Sequence, residues 1–193
     1  MAYTEDEIKQ LGANELGFEE ALDFTSTTDE AVLKINASYD LIKNNALQSY
    51  KFSWSMPTVK LETPTEITDH RYKYTYDLPS DFLRYITSYS DQYRRSPIID
   101  YEMYDDKLYC NQDTEVYLTY VQDADESTFP DYFVEYMKLS IAFANCFDLT
   151  GDVKLLEILN IRTDKQWKIA RNLDGTQKRT RQIRNQPYIS VRG

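Results

Sequence analysis

Arg71-Tyr72-Lys73-Tyr74-Thr75-Tyr76-Asp77-Leu78-Pro79 alternates aromatic or aliphatic residues with polar ones over eight positions before a proline stops it. A period of two places Tyr72, Tyr74, Tyr76 and Leu78 on one face of a strand and Arg71, Lys73, Thr75 and Asp77 on the other. Pro79 ends the strand because it has no N–H to give to a ladder. Downstream, similar β-prone runs predict strands near Tyr85–Tyr89, Ile98–Tyr104, Lys107–Cys110 and Glu115–Val121. Asp105-Asp106 falls between two of them as a tight turn, and such short connections imply antiparallel pairing. Upstream, Phe52, Trp54 and Met56 alternate with Lys51, Ser53 and Ser55 up to Pro57, which predicts another strand.

Helical periodicity brackets these strands. A short helix is expected over Thr4–Leu11, with Glu5 and Asp6 at the positive end of its dipole and Gly12 as its stop. Residues 13–26 have the irregular pattern of a connection. Thr27 and Glu30 have the spacing of a capping box. Beyond them Val32, Ile35, Tyr39, Ile42 and Ala46 form the stripe of a one-sided helix reaching about Tyr50. After the polar stretch Asp123–Ser127, Thr128-Phe129-Pro130-Asp131 opens a third helix, since a proline in the first turn loses no hydrogen bond. Phe133, Met137, Ile141 and Ala144 carry it to Gly151. Asp152 caps a fourth helix with the stripe Leu156, Leu159, Thr163, Trp167 and Ala170, closed at Asp174-Gly175. The expected fold class is α+β: a small α-helical bundle with an inserted antiparallel β-sheet domain and an extended C-terminal arm. Its parts are residues 1–51 and 128–174 for the two halves of the helical domain, 52–127 for the insertion and 175–193 for a basic arm.

Of 193 residues, 41% are apolar, which suffices for a core, and 17 are tyrosine against 5 glycines. Tyrosine joins an apolar body to a wet hydroxyl, which suits surfaces that become buried against neighbours; it also serves as ordinary strand filler. No apolar run approaches the roughly 20 residues needed to cross a bilayer, so no membrane partner is expected. Cys110 and Cys146 lack a CxxC spacing and read as two buried thiols. The net charge of −10 divides unevenly: −17 over residues 1–161 and +7 over 162–193. An acidic body repels nucleic acid, and a basic tail seeks phosphate or an acidic protein surface.

No catalytic, cofactor-binding or metal-ligating set emerges, so an enzyme is not expected. His70 is the only histidine, at the edge of a strand, and no glycine-rich phosphate loop occurs. Asp123, Asp125 and Glu126 lack the glycine and distant glutamate of a calcium loop. Asp100, Glu102, Asp105 and Asp106 lack the lysine or histidine partner of a metal nuclease and suit a solvated hairpin tip. In the tail, Lys178, Arg179, Arg181, Arg184 and Arg192 accompany the apolar Ile183, Tyr188, Ile189 and Val191. The closing Pro187-Tyr188-Ile189-Ser190-Val191-Arg192 partly alternates, which favours docking on a protein by strand addition over a sequence-blind phosphate contact.

Taken in order, several segments resemble the tail tubular protein A-like, head-to-tail adaptor family of short-tailed phages, over nearly the whole chain. They begin with Ile8-Lys9-Gln10-Leu11-Gly12, Ala37-Ser38-Tyr39-Asp40 and Tyr50-Lys51-Phe52-Ser53-Trp54. The most specific is Tyr74-Thr75-Tyr76-Asp77-Leu78-Pro79-Ser80-Asp81-Phe82-Leu83-Arg84, which is similar to the family's Tyr-x-Leu-Pro-x-Asp-Phe-Leu-Arg signature. Tyr117-Leu118-Thr119-Tyr120-Val121, Phe129-Pro130-Asp131-Tyr132-Phe133, Leu149-Thr150-Gly151 and Ala170-Arg171-Asn172-Leu173-Asp174-Gly175 follow. Asp105-Asp106 departs from the family, which tends to have a glycine turn there. The resemblance implies a virion structural protein assembled in the host cytoplasm and placed at the head–tail interface. It implies a homo-oligomeric ring, of twelve subunits, docked on the portal protein, extending the channel through which double-stranded DNA passes. The ring would present a platform to the tail nozzle or next tail ring. The charge split adds the expectation that the arm docks on the portal while the acidic body lets DNA slide past. The alternative is a small phage nucleic-acid-binding protein that uses the arm on phosphate.

Overall fold

The computed structural model describes residues 2–177 except 63 and 69. Among the described residues four helices bracket seven strands, the order the sequence predicts although β1 and β2 are not among its strands: α1 Glu5–Asn14, α2 Glu30–Ser49, β1 Thr58–Lys60, β2 Thr65–Glu66, β3 Tyr74–Asp77, β4 Phe82–Tyr89, β5 Tyr101–Tyr104, β6 Lys107–Cys110, β7 Tyr117–Gln122, α3 Asp131–Thr150 and α4 Val153–Gln177. The fold is therefore α+β with a purely antiparallel β part.

The strands form two sheets instead of one. β1, β7 and β4 make the first, in that order; β2, β3, β6 and β5 make the second. Three layers result. One core joins the helices to the first sheet, with Ile35, Tyr39, Phe133, Met137 and Ile141 packed beside Leu83, Ile86 and Val121. A second core joins the two sheets, with Leu118, Tyr120, Phe82 and Tyr85 of one against Tyr76, Leu108, Cys110 and Met103 of the other. The tyrosines are mostly strand and core residues: Tyr39, Tyr72, Tyr76, Tyr109 and Tyr120 are buried. Among the described tyrosines only Tyr93 and Tyr104 are exposed. Cys110 and Cys146 are both buried and free, on β6 and α3.

Local chemistry explains several boundaries. Thr4 caps α1 in a reciprocal box with Glu7. The cap of α2 is Asp29, one residue before Glu30; its carboxylate accepts from the N–H groups of Ala31 and Val32. The spacing of Thr27 and Glu30 therefore misplaced that cap. α3 starts after Pro130 and stops at Gly151, whose φ of 66° is left-handed. Asp152 then accepts from the N–H groups of Lys154 and Leu155 at the entry of α4. In the β5–β6 hairpin, Asp105 and Asp106 have φ of 49° and 55°. Both residues thus take the left-handed conformation of a type I′ turn, which aspartate tolerates without glycine.

Four expectations fail for identifiable reasons. Residues 53–55 form a turn of 3-10 helix, not a strand, because Phe52 and Trp54 both enter one aromatic cluster. The strand expected over 71–78 narrows to β3, and residues 70–73 are bent. Ala144 is exposed, off the buried stripe of α3. Gly12 does not end α1 but lies inside it, where the helix crosses α3. A Cβ there would sit 2.7 Å from Cγ2 of Ile141, so the glycine sets the approach of the two helices. Gly12→Ala would gain helix propensity of about 1 kcal/mol but overpack the crossing by about 1–3 kcal/mol. Urea denaturation should show a net loss, and a net gain would mean that the crossing yields freely.

Candidate docking surface

Residues Tyr74 to Arg84 carry the resemblance drawn from the sequence, and they form the joint of the molecule. Tyr74 and Leu78 pack on the inter-sheet core, and Tyr76 is buried in it. The Tyr76 hydroxyl lies 2.9 and 2.7 Å from the carbonyls of Gln112 and Thr114, which share its one proton. Burial, then nearby Cys110 and Asp113, raises its pKa far above the ordinary tyrosine range. The chain then turns at Pro79, where the carbonyl accepts from Phe82 N–H. Asp81 accepts the Tyr120 hydroxyl at 2.8 Å. The backbone N–H of Asp123 donates to its carbonyl at 2.7 Å. Phe82 stacks on Tyr120 with centroids 5.7 Å apart. Leu83 turns to the helical core, and Arg84 donates to the carbonyl of Gln48 in the last turn of α2. One turn of chain thereby connects second sheet, first sheet and helices.

The second organised region is the root of the C-terminal arm. Tyr50, Phe52, Trp54, Phe129, Phe133, Tyr136 and Trp167 form a continuous ring cluster with centroid distances of 4.7–6.4 Å. Beside it Asp174, fully buried, accepts both the backbone N–H and the hydroxyl of Ser53 at 2.8 and 2.6 Å. The Tyr132 hydroxyl pKa is pushed up to about 12 by burial and then by the charge of Asp174. Asp174 and Gly175 therefore do not close α4. They belong to its last turns, pinned by a tertiary contact, and the arm expected from residue 175 begins as helix through Gln177. The residues expected to dock, Lys178, Arg179, Arg181, Ile183, Arg184, Tyr188, Ile189, Val191 and Arg192, lie outside the described residues.

The remaining polar candidates resolve into structural contacts. His70 is exposed; its Nδ1 accepts from Tyr72 N–H, and its Nε2 meets the Tyr104 hydroxyl at 2.7 Å. Asp100 pairs with Arg71 and accepts the Tyr72 hydroxyl. Asp125 caps a turn of 3-10 helix over Glu126–Thr128. Asp123 and Glu126 bind Lys43, each at 2.9 Å. This ion-pair cluster was missed because the loop read as solvated, although Lys43 lies one turn beyond Tyr39 on the buried stripe of α2. Among the described residues no group of three or more His, Cys, Asp or Glu is placed to hold a metal ion. None of the described helices is long and apolar enough to cross a membrane.

A feature the sequence stripe did not reveal is on the far side of α4. Ile158 and Ile161 are exposed on the side of α4 away from Leu159, Trp167 and Ala170, and Ile169 and Leu173 are exposed on its flank. Leu33 and Leu41 are exposed on α2. Phe143 and Phe147 of α3, Val153 at the start of α4 and Ile99 of the β5 approach are exposed as well. No model of a known protein family matches the chain, and no curated protein matches it either.

Proposed function

We propose that this chain is the ring subunit of a head-to-tail adaptor in a tailed phage, a virion structural protein without catalytic activity. One observation carries the reading. The residues of the resemblance, Tyr74 to Arg84, form the joint that ties both sheets to α2: Tyr76 is buried, Tyr74, Leu78, Phe82 and Leu83 pack on the two cores, and Asp77 and Ser80 are exposed, so most of the likeness lies in residues that hold the fold together. Supporting it, α4 is rooted in the aromatic cluster and by Asp174, which gives a basic arm beyond Gln177 a rigid base from which to reach a portal. An acidic body offers phosphate few cations, as a channel wall must if DNA is to move along it.

Mass photometry of the protein, alone and mixed with the portal ring of the same phage, tests the assignment. The expected result is ring-sized particles or a stoichiometric gain in portal mass. A monomer that ignores the portal would overturn it. Removing residues 178–193 is expected to abolish docking while the far-UV circular dichroism and thermal midpoint stay unchanged. Undiminished docking would take that role from the arm. The alternative, a nucleic-acid-binding protein, draws on Lys165, Lys168 and Arg171, which lead along α4 toward the arm. A gel shift with duplex DNA at physiological salt separates the two, since an adaptor of this acidity should bind weakly.

A further inference from the structure

We infer that the outward face of α4 is one half of a head-to-tail subunit contact whose other half is the outward face of α2 in a second copy of this chain. The inference rests on the ring reading above and names the surfaces that would close the ring.

On α4, Ile158 and Ile161 project away from the core, Ile161 keeping 67% of its surface exposed, and Ile169 and Leu173 extend the patch along the flank nearer Leu159 and Ala170. Lys165 and Lys168 stand among them and make no ion pair among the described residues. At 100° per residue, Lys165 falls between Ile158 and Ile161, Asn172 and Thr176 share the arc, and Lys168 lies at its edge beside Glu157 and Asp164. Such a face is unusual in a chain of net charge −10. A phosphate-binding surface needs cations but gains little from four exposed aliphatic side chains. A protein interface uses both.

α2 carries the complement. Leu33, Ala37 and Leu41 recur every four residues on its exposed side, with Leu41 at 65% exposure, and Glu30 and Asp40 flank them. Both helices pack on α3 but through different sides of it. Leu139, Ala142 and Cys146 of α3 meet Leu159 of α4, whereas Asn145 of α3 donates to Ser38 of α2. The two patches thus belong to separate surfaces of one subunit, the arrangement a heterologous contact requires. Pairing α4 with itself would oppose Lys165 and Lys168 to their own copies. Pairing it with α2 opposes them to Asp40 and to Glu30, whose carboxylate already meets Lys34 at 2.8 Å, so the acid excess still favours the head-to-tail partner. Aliphatic rows spaced by three and four residues can interdigitate across such a helix pair.

Disulfide trapping tests this with Ile161→Cys and Leu41→Cys, each in the otherwise native chain whose two cysteines are buried. The variants are oxidised singly and as a mixture, both free and on the portal ring of the same phage. A dimeric cross-link in the mixture, absent from either variant alone, is the expected result. Cross-linking of Ile161→Cys alone would show an isologous α4 pair and overturn the inference. Ring-sized particles without the mixed cross-link would overturn this contact yet leave the adaptor reading intact. No assembly on or off the portal would overturn both. As a second measure, Lys165→Glu/Lys168→Glu should lower the assembled fraction by at least about tenfold with the melting curve unchanged. If that variant instead lost only duplex-DNA binding, the face would belong to nucleic acid.

Discussion

Phe133→Ala is expected to destabilise the protein by about 3–5 kcal/mol, the range for deleting a buried aromatic ring. Phe133 has no exposed surface and sits at the centre of the aromatic cluster. It meets Phe129 at 4.9 Å, Trp54 at 5.0 Å and Phe52 at 5.1 Å, each close to edge-on. These rings come from the turn before α3, the 3-10 turn at Ser53–Ser55 and the segment leaving α2, so no single neighbour can move in to fill the void. The loss thus combines apolar transfer, cavity and edge-to-face terms. Trp54 and Trp167 both belong to the cluster, and their fluorescence should redshift in the folded variant as water reaches the gap. Phe133→Leu keeps most of the apolar volume and should lose less than half as much. A loss under about 1 kcal/mol for the alanine variant would mean that the cluster collapses around the gap.

That cluster also explains where the sequence was misleading. Phe52, Trp54 and Met56 alternate like strand residues because each is apolar for a different partner, not because they share a sheet face. Periodicity reports burial but not what does the burying, and here aromatic rings from three segments override the local pattern. Gly12 and Gly175 read as helix stops for a related reason. A glycine at a close helix crossing and one in a final turn pinned by Asp174 look identical to a terminator until the partner is known. β1 and β2, of three and two residues, are too short to leave a pattern. By contrast α2, α3 and β6 were legible because their stripes, a proline entrance and a left-handed glycine exit all act locally. Of the candidate surface, Tyr74 to Arg84 could be singled out from the sequence, although only the fold shows it to be a joint. The exposed aliphatics of α4 were hidden by the stronger inward stripe on the same helix.

Lys43→Ala is expected to cost about 3–5 kcal/mol, as breaking a buried ion pair from one side does. Its ammonium lies 2.9 Å from both Asp123 and Glu126, with only 11% of its side chain exposed. Glu126 also accepts the hydroxyl of Tyr39 at 3.1 Å. Without the cation, two carboxylates would face each other beside a core tyrosine, and the half-buried one would have to be rehydrated. The charge itself is not needed for packing. Lys43→Met/Glu126→Leu should therefore recover most of the loss, the remainder being the Tyr39 hydroxyl left without its acceptor. The same cluster makes the fold sensitive to alkali. Burial lowers the Lys43 pKa, but its hydrogen bonds to Glu126 and Asp123 outweigh this and raise it above the ordinary 10.5. Burial, then the charge of Glu126, raises that of Tyr39 above its ordinary 10.0. Both protons are held more tightly in the folded state, so their stabilisation is complete below about pH 10 and declines as pH rises further. Each group contributes a slope of up to about 1.4 kcal/mol per pH unit. Urea midpoints taken between pH 9 and 11 should fall steeply for the native chain. They should fall less steeply for Tyr39→Phe, by roughly the slope of one proton. Parallel curves for the two proteins would show that Tyr39 ionises freely and that the cluster around Lys43 is open to water.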